Sequence, residues 1–478
     1  MTNLHLEQTM LKLIIEKELK EIIGSAKFAI TFGVCAVLIL LTFYVGAKNY
    51  QISSQRYEAA KTENLRQLEG LTDWLMVNSH RIFLPPKPLE ALVTGVSNDI
   101  GRTIEMAGRG ELTANDSRFG DDPIFAVFRF LDLDFVFQIV LSLFAILFAY
   151  DAINGEKERG TLRLSFANAI PRDTYILGKV VGSFLALAVP LLIPILIGSL
   201  LLPLMGVHLT GDDWLRLALV ILAGLLYFGV FLTLSVFISS LTNKSSHSFS
   251  LMLVIWIFAV LIIPRSSVLL AGRAVDVPTV DEIAAQKTRL RSQLWKEDRN
   301  KMASFKLPEG TDMEDMHTAF QRFMEELSEN RNKQMQELAG RLNEDRRNRQ
   351  LEQERLAFGI AKISPAAAFS LAVTNLVGTS LKLKEHFIKE ANGYQKTFGE
   401  FMKDKTGMNP GGGMIFMHIG NGEEEKPIDP KELPPFEYSN PALGETVQAA
   451  LFDLGLLGFF NLIFFAGAFV RFLKYDVR

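Results

Sequence analysis

The sequence predicts an all-α polytopic membrane protein: six transmembrane helices and two external inserts, the larger one helical and coiled-coil-like. Three observations carry this. Hydrophobic residues make up 49% of the 478 residues alongside 22% charged ones, with a mean hydropathy of +0.19, a mixture suited to a chain that lives in two solvents. Six stretches reach the ~20 mostly apolar residues that a helix needs to cross the hydrocarbon layer. Between the fifth and sixth, a long charged segment carries apolar residues at alternating steps of three and four, as a packed helix would.

Taken in order, residues 1–25 read as an interfacial amphipathic helix, with Leu11, Ile14, Ile15, Leu19, Ile22 and Ile23 opposite Lys12, Glu16, Lys17, Lys20 and Glu21. The first span is 26–45. It is longer than the ~7 to 15 apolar residues of a signal peptide and follows an acidic stretch, so it reads as a span rather than a cleavable leader. A first external insert, 46–130, holds an expected helix from Arg56 to Val77 and the turn-rich Leu84-Pro85-Pro86-Lys87-Pro88. The second span is 131–150, followed by a polar segment, 151–174. Spans three, four and five are 175–204, 215–239 and 246–263. The large insert is 264–446, the sixth span is 447–472, and 473–478 is a tail.

Within the large insert, Met313, Met316, Phe320, Phe323 and Leu327 form one seam, which resumes at Met335, Leu338 and Leu342 after an eight-residue step. That step rotates the contact face without breaking the helix. Gly359 to Thr379 is moderately apolar but interrupted by Lys362, Ser364, Pro365, Thr374 and Asn375, and is expected at the outer membrane surface or inside the external domain. Gly407 to Pro435, with its glycine runs and Glu423-Glu424-Glu425, reads as a mobile external loop.

Charge placement sets the orientation. Lys12, Lys17, Lys20 and Lys27, then Lys157, Arg159, Arg163 and Arg172, then Arg471, Lys474 and Arg478 all fall on one side of a six-span chain, whereas Met205 to Asp213 has no Lys or Arg. Both termini are therefore expected in the cytoplasm, with the large insert periplasmic or extracellular.

Several functions are excluded or left without support. A net charge of −3 and pI near 6.2 give no footprint for nucleic acid. The single cysteine, Cys35, excludes an internal disulfide and a Cys-rich metal site. Seven scattered histidines form no helical pair, no phosphate-loop motif occurs, and no G-x-S-x-G elbow is present, so no catalytic residue, resident cofactor or metal is expected. Asp453 and Asn461 are polar residues within the sixth span, near its outer end and its middle; Asp453 is expected to reach the interface.

The functional signal lies in 151–174. Glu156, Glu158 and Arg159, the break at Gly160-Thr161, then Leu162 and the Pro171-Arg172 turn have two readings. One is a solvated turn obeying the charge rule. The other is a docking helix whose Glu156, Glu158 and Arg159 make charged contacts with a cytoplasmic partner while Leu162 anchors it.

Here the sequence resembles the type-2 ABC exporter permeases, in which E-x-E-x-G-T-L precedes a proline-arginine turn and the next span. Glu156, Glu158, Gly160, Thr161, Leu162, Pro171 and Arg172 match that pattern. Ser364-Pro365-Ala366 with Gly378-Thr379, Pro435-Phe436, the terminal Arg471-Phe472-Leu473-Lys474-Tyr475-Asp476-Val477-Arg478, and Leu84-Pro85-Pro86-Lys87-Pro88-Leu89 followed by Gly95 resemble the subgroup with a large external insert of unassigned function. The resemblance implies an ABC transporter permease in the bacterial inner membrane, an exporter, with ATP and magnesium on partner ATPase subunits and a second permease chain, identical or related, beside it. It also places the interfacial helix next to the ATPase contact. Phe137, Phe144 and Phe148 share a helical face that Trp256 and Phe258 extend, either as an apolar path between permeases or as rings that face lipid or pack in the core. The rival function is a non-transporting, ATP-driven scaffold or mechanical transmitter whose external domain docks a partner.

Overall fold

The computed structural model describes residues 2–77, 80–97, 100–106, 112, 114–115, 132–167, 170–304, 313–406 and 427–474. The chain divides into two compact units, residues 1–265 with 361–478, and residues 266–360.

The first unit is built on long helices. α1 (Thr2–Ile23) ends at a turn in which the Ser25 hydroxyl accepts the Phe28 N–H and starts α2 (Ala26–Arg66). α2 does not stop where its apolar run stops at Val45. No Gly or Pro interrupts Ala47 to Arg66, so the helix continues for 41 residues, about 60 Å, twice the ~30 Å hydrocarbon thickness. The expected helix at Arg56 to Val77 is thus largely the continuation of the first span.

After the first insert come α3 (Leu133–Phe135), a π-helical segment π1 (Val136–Leu141), α4 (Ser142–Ala149), α5 (Asn154–Glu158), α6 (Thr161–Ala167), α7 (Arg172–Leu204) and α8 (Gly211–Leu241). Then follow α9 (Ser245–Trp256), a second π-helical segment π2 (Ile257–Ile262) and α10 (Ile263–Ala274). The sixth apolar run is α15 (Leu443–Leu473).

α8 is the axis of the bundle, packed by α4, α15 and α13 (Pro365–Val377), while α7 carries α1 and α2. Lipid supplies no hydrophobic drive between helices, so close approach rests on small residues. A Cβ at Gly224 of α8 would lie 2.2 Å from the Phe137 ring, and one at Gly198 of α7 would lie 2.4 Å from the Phe43 ring.

Among the described residues, seven stretches are long and apolar enough to cross a membrane, one more than the six apolar runs. The seventh, Pro365–Thr406, is divided at Gly378, whose left-handed φ of 76° ends α13 after 13 residues, about 20 Å. α13 is nevertheless neither at the membrane surface nor in an external domain. Its four alanines, Phe369 and Leu376 are buried between α8 and α15, so it is a half-length helix inside the bundle. Beside its start, the Lys362 ammonium lies 2.8 Å from Asp453, which is buried and paired rather than reaching the interface.

The first insert is not wholly helical. β1 (His80–Phe83), β2 (Thr103–Met106) and β3 (Ala114–Asn115) make an antiparallel sheet in that order, with His80 opposite Met106 and Thr103 opposite Asn115. Its Ile82, Ile104 and Met106 pack with Leu68 and Trp74 against one face of α14 (Lys382–Thr406): Leu383, Phe387, Ala391, Tyr394, Phe398 and Met402. These are spaced at three and four residues, so one stripe meets the sheet. This corrects the single domain expected over 264–446. Residues 266–360 form their own unit, while α13 belongs to the bundle and α14 to the sheet module.

In the second unit, α11 (Val280–Ser304) and α12 (Met313–Ala361) are tied by Arg331, which bonds Asp298 at 2.8 Å and stacks over Trp295. α12 runs unbroken through the eight-residue step in its apolar seam. Leu327 is buried and Phe320 is 44% exposed; the Met313 and Met316 side chains, and residues 407–426 of the expected glycine-rich loop, lie outside the described residues.

Candidate coupling site

α1 lies along the start of α7. A Cβ at Gly178 would come within 2.8 Å of Ile14, and one at Gly182 within 2.9 Å of Glu18 and 3.2 Å of the Ile15 backbone. The glycine pair, one helical turn apart, brings the helices close enough for short side chains to bond across them.

Lys179, on the same turn of α7, donates to Glu18 of α1 at 2.8 Å and to Glu156 of α5 at 2.9 Å. Glu156 also accepts from Lys17 at 2.7 Å and from the Tyr175 hydroxyl. Three elements, α1, α5 and α7, are thus joined through one buried ion network. Glu18, Glu21 and Glu156 approach within 4.8 Å of one another, but Lys17, Lys179 and Arg159 already balance their three charges, so the group is an ion network.

The rest of 151–174 hangs from this network. The Ser239 hydroxyl accepts the N–H groups of Ile153 and Asn154. Glu158 accepts from the backbone N–H and hydroxyl of Ser245 at the start of α9, and Arg159 pairs with Glu21 at 3.3 Å. Gly160 takes φ +75°, a conformation that favours glycine, and so redirects the chain from α5 into α6. Arg172 donates to the Leu473 carbonyl, and Tyr175 stacks on Phe472, so the end of α15 closes the site.

This placement corrects the expected docking contacts. Glu156 is only 2% exposed and its carboxylate is bonded on three sides within the chain, while Leu162 is 1% exposed. Neither presents a surface. On the outward side stand Thr161, Arg163 and Leu164, the last 67% exposed. Sequence reasoning missed the partners Glu18, Tyr175 and Lys179. The available signal was a lysine and a tyrosine four residues apart at the head of an otherwise apolar helix, where a charge survives burial only if paired.

A family model described as "ABC-2 family transporter protein" matches residues 13–477. The chain belongs to the ABC-2 transporter family. Over 125 residues the ABC-2 chain is 37% identical to the probable ABC transporter permease protein NosY of Stutzerimonas stutzeri, a match covering 26% of this chain and 45% of that protein. The chain thus spans just under half the length of that relative. An integral membrane protein of this family is what the helix bundle describes.

The aromatic residues expected along a path between permeases are mostly core of this ABC-2 chain. Phe137 packs on Gly224 and Phe369, and Phe144 on Phe28 and Phe228. Phe148 meets Phe28 and the Lys27 ammonium, and Trp256 donates to the Ser142 hydroxyl at 2.7 Å. Phe258 alone of the five is exposed, at 51%. On this face Phe137 fills the space left by Gly224 of α8, and Phe144 and Phe148 pack on Phe28 of α2.

Of the remaining family-like motifs, the Lys87 and Gly95 segments, Gly378-Thr379 and Phe436 converge at the opposite end of the bundle, here termed the sheet end, while Ser364 lies at the other end of α13 on the Ala259 carbonyl. Val96 donates its N–H to the Thr379 carbonyl at 3.0 Å, and the Thr379 hydroxyl donates to the Val93 carbonyl at 3.0 Å. Gly95, at φ +51°, leaves room only for a hydrogen: a Cβ would lie 2.3 Å from the Thr379 carbonyl oxygen. The Lys87 ammonium reaches the Gly378 carbonyl at 3.4 Å, and Phe436 packs on Phe387 and Tyr394.

Proposed function

We propose that the chain is the permease subunit of an ABC exporter, working with separate ATPase subunits that hold ATP and magnesium and with a second permease chain, identical or related. Both termini and the α5–α6 segment would face the cytoplasm of a bacterium, with the sheet module and residues 266–360 outside the inner membrane. Family membership supports the class. The observation that carries the coupling role is the two-sidedness of α5–α6: the inner side is locked to α1 and α7 through Glu156, Lys179 and Glu18, while Thr161, Arg163 and Leu164 face outward.

An ATPase that grips the outward side moves the whole unit, because the inner side cannot yield without separating buried charges. Glu156, Glu158, Arg159 and Gly160 then act as positioning residues, and Pro171 and Arg172 set the angle at which the pull enters α7. A second reading, an ATP-driven mechanical transmitter that moves no substrate, is favoured by the mass of the sheet module and of residues 266–360.

The test is to purify the full chain from its native membrane and measure ATP hydrolysis in the copurifying complex, for the natural chain and for Leu164→Glu. A charge on the exposed leucine is expected to remove the ATPase subunit while the chain stays inserted and monodisperse. Failure of any ATP-hydrolysing subunit to copurify with the natural chain would overturn the permease reading. Substrate-stimulated hydrolysis in liposomes separates the exporter from the transmitter.

A further inference from the structure

The sheet end carries a cation whose bonding is incomplete. Lys87 follows two prolines that hold it between Leu84 and Leu89, both buried, and its ammonium is directed under the module toward the end of α13. An ammonium offers three donors. Among the described residues one reaches the Gly378 carbonyl at a long 3.4 Å, and the group sits over the Tyr438 ring, 5.4 Å from its centre.

The neighbouring charges are already committed. Glu90 bonds Arg102 and accepts the Lys87 backbone N–H at 3.2 Å. Arg216 donates to the carbonyls of Leu376 and Pro441 at 2.9 and 2.7 Å, and Asp213 caps α8 by accepting from Thr210. Two guanidiniums and two carboxylates thus surround the Lys87 ammonium. Beside them the Tyr438 hydroxyl is buried and has no hydrogen-bond partner among the described residues. On the Gly378 side the space is open: a Cβ there would meet nothing within 4 Å except the Lys87 nitrogen, at 3.4 Å.

We propose that Lys87 and Tyr438 form an oxyanion-binding site at the sheet end of the bundle, taking a terminal phosphate or carboxylate group. The ammonium supplies charge-assisted donors and the phenol a neutral one, so an anion is held without any buried cation having to leave its partner. The glycine at 378 keeps the approach clear. The site stands on these residues alone and does not depend on the permease reading.

Proton linkage gives the site a signature. Burial, with the Arg216 and Arg102 charges, brings the Lys87 ammonium down to about 8 against the pull of Glu90 and Asp213. Tyr438 lies near Glu390, Glu90 and Arg102, and burial raises its hydroxyl, which therefore stays protonated through this range. An anion is held by the charged lysine, so binding is strongest below about pH 8 and weakens about tenfold per pH unit above it.

The experiment titrates the purified full chain in detergent with sodium sulfate and, separately, sodium acetate, at constant ionic strength made up with chloride, from about pH 7 to 9.5, where neither probe changes charge. Calorimetric binding is the readout. Saturable binding that falls by about tenfold or more in Lys87→Met, and by several-fold in Tyr438→Phe, is expected, with loss above pH 8. Preference for sulfate identifies a phosphate-like ligand, and preference for acetate a carboxylate. Binding that does not saturate, survives Lys87→Met unchanged, or ignores pH would overturn the site. Should Lys87→Met fail to fold, Tyr438→Phe and the pH series of the natural chain decide.

Discussion

Replacing Lys179 by methionine keeps the length and packing of the side chain and deletes only the charge that joins α1 to α5. The consequence is unequal for its two carboxylates. Glu156 keeps Lys17 at 2.7 Å and the Tyr175 hydroxyl, whereas Glu18 loses the cation that held it at 2.8 Å. Removing one partner of a buried pair costs about 3 to 5 kcal/mol, because a buried carboxylate is left uncompensated. The least costly response is for α1 to lift from α7 and carry Glu18 into water. A loss of about 3 kcal/mol raises the open fraction of α1 roughly 150-fold, so the amides of residues 11–23 should exchange with deuterium on the order of a hundred times faster. Adding Glu18→Gln removes the orphaned charge and should recover about 2 kcal/mol, a coupling that a double-mutant cycle measures. Unchanged exchange in α1, with a stability loss under about 1 kcal/mol, would refute the view that the ion network clamps α1.

Two further predictions concern the sheet end. Burial brings the His80 imidazole down to about 4, so the fold favours its neutral form; stability is complete above about pH 6.5 and declines by about 3 kcal/mol as pH falls through 6.5 to 4. His80→Asn, which offers Asn64 an acceptor without the titration, should flatten the pH dependence of acid unfolding followed by tryptophan fluorescence. Gly95→Ala should cost about 2 to 4 kcal/mol, because its Cβ would meet the Thr379 backbone, whereas Gly70→Ala, at φ +87° in open space, should cost only about 1 kcal/mol; unfolding midpoints compare them. Equal losses would mean that the Gly95–Thr379 contact carries no constraint.

The six apolar runs were legible because a hydrocarbon solvent imposes one length and one composition, and each coincides with a long helix. The run Gly359 to Thr379 misled because polarity was weighed as if every helix had to face lipid. Ser364, Pro365 and Thr374 are compatible with membrane depth when a short helix is wrapped by protein, and Ser364 spends its hydroxyl on the cap of α13 and on the Ala259 carbonyl. The three-stranded sheet escaped because its strands are two to four residues long, below the window in which alternation can be read. The candidate coupling segment, 151–174, was legible but the direction of its side chains was not. Glu156 and Glu158 look alike in sequence; what turns one inward is Lys179, 23 residues away, and what fixes the other is Ser245, 87 residues away.

The two ends are mechanically connected through α3, π1 and α4. Asp132 receives the N–H groups of Thr94 and Phe135 at 2.8 and 3.1 Å, which ties the start of this helix to the motif that carries Gly95. Its other end runs into α5 and the Glu156 network. A continuous α-helix would pass on any displacement as a rigid rod, but here the register is interrupted once. In π1 the Gln138 carbonyl accepts the Tyr227 hydroxyl at 3.1 Å, and in π2 the Ala259 carbonyl accepts the Ser364 hydroxyl. Each widened turn is thus stabilised by a hydroxyl from a neighbouring helix, and Trp256 joins the two through Ser142, the residue after π1. A π-helical turn carries one more residue than an α-turn, so it persists only where such outside bonds offset its poorer geometry. The bonds that hold it come from α8 and from the cap of α13, so a shift of α13 at the sheet end acts on π2 directly and on π1 through Trp256. The half-length helix therefore does more than fill the bundle: its cap bonds the Ala259 carbonyl of π2, and its Phe369 packs on Phe137 of π1.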